Sequence, residues 1–214
     1  MLNFRELLQL FGIIAIELPL ELVSWLIVPI ALAFCNKQSE HLPKWARYFE
    51  DASDYYNGIN SAINGDSGWR KEHYPNGKNR TYFARLMWLY RNRIGYFSSR
   101  INGVKVSETE PSSVRVQGNT KVTSNGGVIS DFCKVTLKLK DGRSRFGLYK
   151  TIRYKGFLSG FYCRIYVGWK LLDVAGMNEF NHALFKEADD KAFLKSVWAI
   201  NPFKRARGSN NAKS

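Results

Sequence analysis

The side chains that could hold a metal or move a proton are concentrated between Glu50 and Asp66. Glu50, Asp51, Asp54, Asn57, Asn60, Asn64 and Asp66 place carboxylate and amide oxygens at short intervals. Oxygen donors of this kind suit a hard divalent cation, but the D-x-[DN]-x-[DN]-G-x5-E spacing of a calcium loop is absent. Two readings stay open: a looser divalent site on Asp51, Asp54 and Asp66, supporting a metal-assisted enzyme at a membrane, and a solvated, turn-rich loop. The three histidines, His41, His73 and His182, are far apart and lack an H-x-x-x-H grouping. Cys35, Cys133 and Cys163 are odd in number and widely spaced, so they form neither a disulfide framework nor a zinc site. Cys133 and Cys163 fall in strand-like stretches and read as small core residues. There is no Walker loop, G-x-S-x-G elbow or Cys-x-x-Cys pair. Asp189-Asp190 sits beside lysine on a solvated stretch. The sequence assigns no catalytic residue, no metal and no cofactor.

One motif invites a nucleophile reading. Gly65-Asp66-Ser67-Gly68 has the form of the nucleophile motif of chymotrypsin-like proteases. Such a serine needs an upstream histidine and aspartate and a two-barrel body. This chain has no room for that body after its apolar start, so the match is a coincidence.

The elements that would position any site begin with that start. From Leu7 to Cys35 the only ionisable side chains besides the terminal thiol are Glu17 and Glu21. As one helix this run extends about 43 Å, more than a hydrocarbon core of about 30 Å requires. Pro19 and Pro29 each remove a donor and favour a kink. Glu17 and Glu21, four apart, share a face, and an ionised carboxylate at mid-bilayer costs roughly 2.5 kcal/mol or more. They must be protonated, meet a protein partner or sit near headgroups; a mutual Glu17/Glu21 arrangement suits a homo-oligomer. Glu17, Pro19, Glu21 and Trp25 are the predicted membrane or oligomer contacts of this segment. Four placements fit: a tilted spanning helix, a re-entrant or in-plane hairpin turning near Pro19, a signal peptide cut after Ala31-Leu32-Ala33, and a buried core helix of a soluble protein. The signal reading is opposed by Glu6 beside Arg5 and by the two glutamates and proline in the apolar run.

Everything after the segment is basic. The whole chain carries 32 Lys and Arg against 18 Asp and Glu, a net +14. Only Arg5, Glu6, Glu17 and Glu21 precede Asn36, so residues 36–214 carry 31 basic and 15 acidic residues, a net of +16. Lys37, Lys44 and Arg47 follow the segment where Arg5 alone precedes it, which favours a cytoplasmic body on the inner membrane. A cationic body is drawn to anionic lipid or to nucleic acid. Lys44–Phe49 reads as a short amphipathic helix with Trp45 and Phe49 on one face, at headgroup level.

The soluble part reads as α+β: helices, then an antiparallel β-sheet. Residues 79–100 are the best helix, with Tyr82, Leu86 and Leu89 on one stripe, Phe83, Met87 and Tyr90 alongside, and Arg80, Arg85, Arg91, Arg93 and Arg100 at its edges. Asn92 and Gly95 mark its end. Its stripe is core or a second interfacial face. Period-two patterns follow at Val114–Val116, Lys121–Thr123, Phe132–Lys140, Ser144–Tyr154 and Phe161–Lys170, with Asn125-Gly126-Gly127 and Asp141-Gly142 as turns. Cys133, Val135, Leu137 and Leu139 are predicted to share the inner face with Phe146, Leu148 and Ile152. The opposite face collects Lys134, Lys138, Lys140, Arg145, Tyr149, Arg153, Arg164, Tyr166 and Lys170. Cations interleaved with tyrosines fit a nucleic-acid face, a side turned to a charged bilayer, or a solvated surface. Residues 178–192 read as helix or loop, Ala192–Ile200 as a last strand. The predicted layout is a membrane segment at 1–36, juxtamembrane helices and polar loop at 37–102, a sheet domain at 103–202, and a basic tail at 203–214.

Leu42-Pro43-Lys44-Trp45-Ala46-Arg47-Tyr48-Phe49, Gly65-Asp66-Ser67-Gly68-Trp69-Arg70, Trp88-Leu89-Tyr90-Arg91-Asn92, Tyr166-Val167-Gly168-Trp169-Lys170 and Ile200-Asn201-Pro202-Phe203-Lys204 occur in this order. With the apolar start, they resemble a family of small uncharacterised proteins of tailed bacteriophages and prophages, over nearly the whole chain. Arg93 stands where a proline is expected. The resemblance implies a phage origin and action in a bacterial host, and brings no activity. The expectation is a membrane-anchored interaction protein on the host inner membrane, with anionic lipid, a host membrane protein, nucleic acid or its own copies as partners. A virion, DNA-ejection or lysis-associated membrane protein is the alternative.

Overall fold

In a computed structural model, the described residues are 2–51, 62–74, 81–122, 130–171 and 193–205. The chain forms two compact units, both discontinuous in sequence: Met1–Leu10 with Ser107–Ala188 and Ser196–Ser214, and Phe11–Val106 with Asp189–Lys195. The fold is mixed α+β. Helix α1, Phe4–Ala33, contributes its first residues to one unit and the rest to the other. It runs unbroken through Pro19 and Pro29, so no hairpin turns at Pro19. Asn3 opens it with a capping box: the Asn3 N–H donates to Glu6 Oε2 and the Glu6 N–H to Asn3 Oδ1.

The first unit is built on an antiparallel sheet in the order β2-β3-β4-β5-β7: Thr109–Gly118, Phe132–Leu139, Ser144–Arg153, Phe161–Trp169 and Ser196–Arg205. Its central row, Cys133, Val135, Leu137 and Leu139, is buried, as the alternation predicts. The phase of β4 differs from the expectation. A two-residue turn at Asp141-Gly142 would set Val135 opposite Leu148 and Leu137 opposite Phe146. Instead the Leu139 N–H donates to the Arg143 carbonyl and Gly142 takes φ +84°, so the turn holds one residue more. Pairing becomes Leu137 opposite Arg145, Val135 opposite Gly147, Cys133 opposite Tyr149, and Lys134 opposite Leu148. One residue of slip moves every β4 side chain to the other face. The β4–β5 phase is as predicted, with Leu148 opposite Val167 and Ile152 opposite Cys163. Thr120–Val122 is a 3-10 turn, not a strand; residues 123–129, 172–192 and 206–214 lie outside the described residues, with the features predicted there.

The second unit is helical. After α1 come a 3-10 turn at Lys44–Phe49, α2 (Ser67–His73), α3 (Tyr82–Arg91) and α4 (Gly95–Arg100). Short strands β1 (Val104–Lys105) and β6 (Phe193–Leu194) pair antiparallel. Val28, Ala31 and Leu32 of α1 form its core with Leu42, Ala46, Ile63, Trp88 and Leu89. Helix α3 stops at Arg91 with Asn92 capping it, and Ile94 enters the left-handed region before α4 begins. Asp66 accepts from the Trp69 N–H, so the Gly-Asp-Ser-Gly tetrad is a turn into a capped helix.

Candidate membrane-binding face

Helix α1 differs from an ordinary surface helix in that its exposed side is apolar while acidic and hydroxyl side chains are buried. Its buried positions are Glu6, Ile13, Glu17, Ser24, Val28, Ala31 and Leu32, a single stripe at helical spacing. Three of those seven are polar or acidic. Apart from Arg5 on the first turn, the residues turned outward are apolar, among them Phe4, Leu7, Leu8, Phe11, Ile16, Leu18, Leu22, Val23, Leu26, Ile30 and, just past the end, Phe34. Phe11 is 72% exposed and Leu26 71%, whereas Glu17 is 1% exposed.

Each glutamate of α1 is occupied within its own unit. Glu6 Oε2 holds Lys134 Nζ at 2.7 Å, with both side chains buried. Asn102 Nδ2 donates to Glu17 Oε1 at 2.9 Å. Arg93 Nη2 lies 3.7 Å from Glu21 Oε2. Ser24 returns its hydroxyl to the Glu21 carbonyl and Gln9 donates to the Ser144 carbonyl. Glu17 and Glu21 thus meet Asn102 and Arg93 of their own chain.

The two prolines leave carbonyls four residues earlier without a helical donor. For Pro29 the orphan is the Trp25 carbonyl, and α3 supplies the donor: Tyr90 Oη donates to it at 3.2 Å. Tyr82 Oη donates to the Pro29 carbonyl at 3.0 Å, so α3 runs back along α1. Trp25 packs against the Tyr90 ring, centroids 4.3 Å apart, and beneath the Arg93 guanidinium, 4.7 Å from the ring. Alongside, α3 leaves Phe83 and Met87 exposed, while Leu86, Trp88 and Leu89 enter the core.

The exit from α1 is fixed by a buried cation. Arg85, read from the sequence as an exposed edge, donates to the carbonyls of Asn36, Lys37 and Ser39 and to Asn64 Oδ1. A cation among carbonyls at a helix C-terminus also meets the negative end of its dipole. Next to it, buried Glu50 accepts from the Leu42 N–H and bonds His41 Nδ1 at 2.9 Å. Burial pushes the Glu50 carboxyl above the ordinary carboxylate range, against the His41 and Leu42 hydrogen bonds and the charges of His41 and Arg47.

The other predicted residues are scattered. In the 3-10 turn residues three apart eclipse, so Trp45 shares its exposed side with Tyr48, and Phe49 packs into the core instead. On the sheet, Lys134 and Lys138 lie on the face of Leu148, whereas Arg145, Tyr149, Arg153, Arg164 and Tyr166 lie on the face of Cys133, Val135 and Leu137. There is no single basic face: Lys134 and Tyr149 are buried, Arg145, Arg164 and Tyr166 half-buried, and Lys138, Lys140, Arg153 and Lys170 exposed. Asp51 is ion-paired with Lys195 at 2.6 Å and Asp66 caps α2, while Asp54, Asn57 and Asn60 lie outside the described residues. Among the described residues no cluster of His, Cys, Asp and Glu could hold a metal. Cys35 Sγ donates to the carbonyls of Ala31 and His41, the contacts of a thiol rather than of an activated nucleophile.

The model of a family of unknown function, DUF7338, matches residues 2–208. The chain belongs to this family. The match takes in the whole of α1 and both units, so the helix is part of the family's domain. No curated protein and no solved structure matches. Sequence reasoning missed Asn3, Arg85, Tyr90 and Asn102. For Asn3 the signal was present, as Asn3-Phe4-Arg5-Glu6 has capping-box spacing; Asn102 carries none, because its side chain reaches Glu17, remote in sequence.

Proposed function

We propose that the protein is a monotopic membrane protein whose α1 lies in the plane of the membrane, exposed apolar face in lipid and the stripe that carries its glutamates toward the folded chain. The observation that carries this reading is the exposed apolar face of α1, with Glu6 and Glu17 buried on its other side. α1 is long and apolar enough to cross a membrane, and a soluble core helix would pass the same test while being mostly buried; here 22% of its most apolar stretch is buried. A spanning helix is surrounded by lipid over about 20 residues. Within the second unit the chain's own side chains occupy one stripe of α1 from Ile13 to Leu32, which supports lying in the plane over crossing it. Removal as a signal peptide would strip Val28, Ala31 and Leu32 from a core and leave Lys134 without Glu6.

The +14 charge directs the protein to an anionic leaflet, on the cytoplasmic side of a bacterial membrane. There it acts as a phage-encoded interaction protein, as the resemblance implies, with exposed Trp45 and Tyr48 at headgroup depth. The test uses a cysteine-free variant carrying one new cysteine at Asn3 or at Gln38, on either side of α1. Membrane-impermeant maleimide should label both from the same side of sealed vesicles. Labelling from opposite faces refutes the in-plane placement. Recovery in the soluble fraction after low-salt lysis refutes membrane attachment altogether.

A further inference from the structure

The first unit contains a cavity of about 710 Å³ where the head of α1 meets the β3–β4 turn, lined by Asn3, Arg5, Glu6 and Gln9 and by Asp141 to Phe146 with Thr136. Its charges do not balance. Glu6 is engaged by Lys134 and by the Asn3 N–H, and Asp141 is engaged by Arg143, whose Nε and Nη2 reach Asp141 Oδ2 at 2.6 Å. Both carboxylates are thus occupied, and two further arginines, Arg5 and Arg145, are among the residues that line this space. Arg145 is half-buried with its guanidinium 4.7 Å from the centre of the Trp169 ring, and its Nε is buried without a hydrogen-bond partner among the described residues. Its Nη1 donates to the Ser144 carbonyl at 3.1 Å; burial, then the charge of Arg143, makes its proton easier to remove than from an ordinary arginine, with Asp141 opposing. Arg5 is exposed on the first turn of α1.

Stacking holds the Arg145 fork in one plane, pre-set for planar recognition of an oxyanion, and the Asp141 pair, which takes Nε and Nη2 of Arg143, fixes the position of that second charge. On the same turns of α1, Phe4, Leu7 and Leu8 are exposed and apolar. We propose that this cavity binds a phosphate group through Arg5, Arg143 and Arg145, the phosphate being that of an anionic phospholipid headgroup or of a small soluble phosphate. The lipid source rests on the membrane reading above; the site itself does not.

The experiment uses the full chain in detergent micelles and three variants, Arg145→Gln, Arg5→Gln and, as a charge-matched control on exposed β4 surface, Lys150→Gln. Titration calorimetry with inorganic phosphate and glycerol 3-phosphate reads the soluble source. Flotation with phosphatidylcholine vesicles, with and without phosphatidylglycerol, reads the lipid source. Each charge-assisted arginine contact is worth about tenfold in affinity or more. Arg145→Gln and Arg5→Gln should therefore each lower phosphate binding, or the gain from phosphatidylglycerol, about tenfold, while Lys150→Gln changes either less than twofold. Because Arg145→Gln disturbs the packing on Trp169, circular dichroism checks its fold, and exposed Arg5→Gln carries the test if that variant unfolds. A gain with phosphatidylglycerol alone assigns lipid, and binding of soluble phosphate alone assigns a soluble ligand. Absence of both, or an equal loss in Lys150→Gln, overturns the site. Binding to neutral vesicles reports α1 separately, so loss of membrane attachment with phosphate binding intact sinks only the membrane reading.

Discussion

The Tyr90 hydroxyl offers the sharpest test of how α1 tolerates a proline. Pro29 has no N–H, and its ring crowds the Trp25 carbonyl, so that oxygen is turned off the helix axis toward α3. Tyr90 Oη donates to it at 3.2 Å. Tyr90→Phe removes the donor and keeps the ring on Trp25. In contact with water the loss is about 1 kcal/mol, and with the oxygen left unpaired in an apolar setting it rises to roughly 1–3 kcal/mol. In lipid this is how a helix accepts proline at all, through a neighbour that satisfies the freed carbonyl. Pro29→Ala restores a backbone donor for the same oxygen. The Tyr90→Phe penalty should then fall to a few tenths of a kcal/mol, a coupling of about 1–2 kcal/mol across the cycle. Pro29→Ala alone should stabilise, because an interior proline costs about 3 kcal/mol relative to alanine. Equilibrium unfolding of the four proteins in micelles measures the coupling, and at this chain length each kcal/mol shifts the midpoint by about 2–4 °C. If Tyr90→Phe costs the same in the Pro29→Ala background as beside the native proline, the hydroxyl is not the carbonyl's donor and the account of the helix is wrong.

Three further outcomes follow from the same contacts. Glu6→Gln leaves Lys134 buried without its carboxylate and should cost on the order of 3 kcal/mol in chemical denaturation, most of it recovered when Lys134→Met is added. Because burial raises the Glu50 pKa, the folded protein holds that proton more tightly than the unfolded chain. Wild-type stability relative to Glu50→Gln should therefore be greatest below the ordinary carboxylate range and decline as pH rises through the raised value; melting temperatures that diverge the other way refute it. Leu22→Glu with Leu26→Glu places two charges on the outer side of α1. Each apolar side chain is worth about 1.5–3 kcal/mol when fully buried, so vesicle partition should fall at least a hundredfold at unchanged circular dichroism.

What could be read from the sequence was the elements and the long apolar helix; what could not was phase. The alternation in Phe132–Leu139 located β3 and its buried row correctly. The neighbouring strand was assigned the wrong face because Asp-Gly signals a turn without revealing its length, and Gly142 in the left-handed region adds the residue that reverses β4. The same kind of error separated Phe49 from Trp45: four residues close a face in an α-helix but lie about 120° apart in a 3-10 turn. Arg85 looked like a solvated edge because its acceptors are backbone carbonyls at Asn36, Lys37 and Ser39, and no sequence pattern advertises a carbonyl.

The three glutamates of α1 also constrain the order of events. An unpartnered carboxylate at the bilayer centre costs roughly 2.5 kcal/mol, so Glu6, Glu17 and Glu21 together oppose insertion of α1 as an isolated helix by several kcal/mol. Their partners are remote in sequence: Lys134 for Glu6, Asn102 for Glu17 and Arg93 for Glu21. None of these is in place until the chain has folded around the helix. Once they are, the charges face protein and the surface left outward is the apolar one. On the proposed reading, membrane affinity is therefore a property of the folded chain rather than of its first thirty residues, and lipid binds to a surface that folding creates.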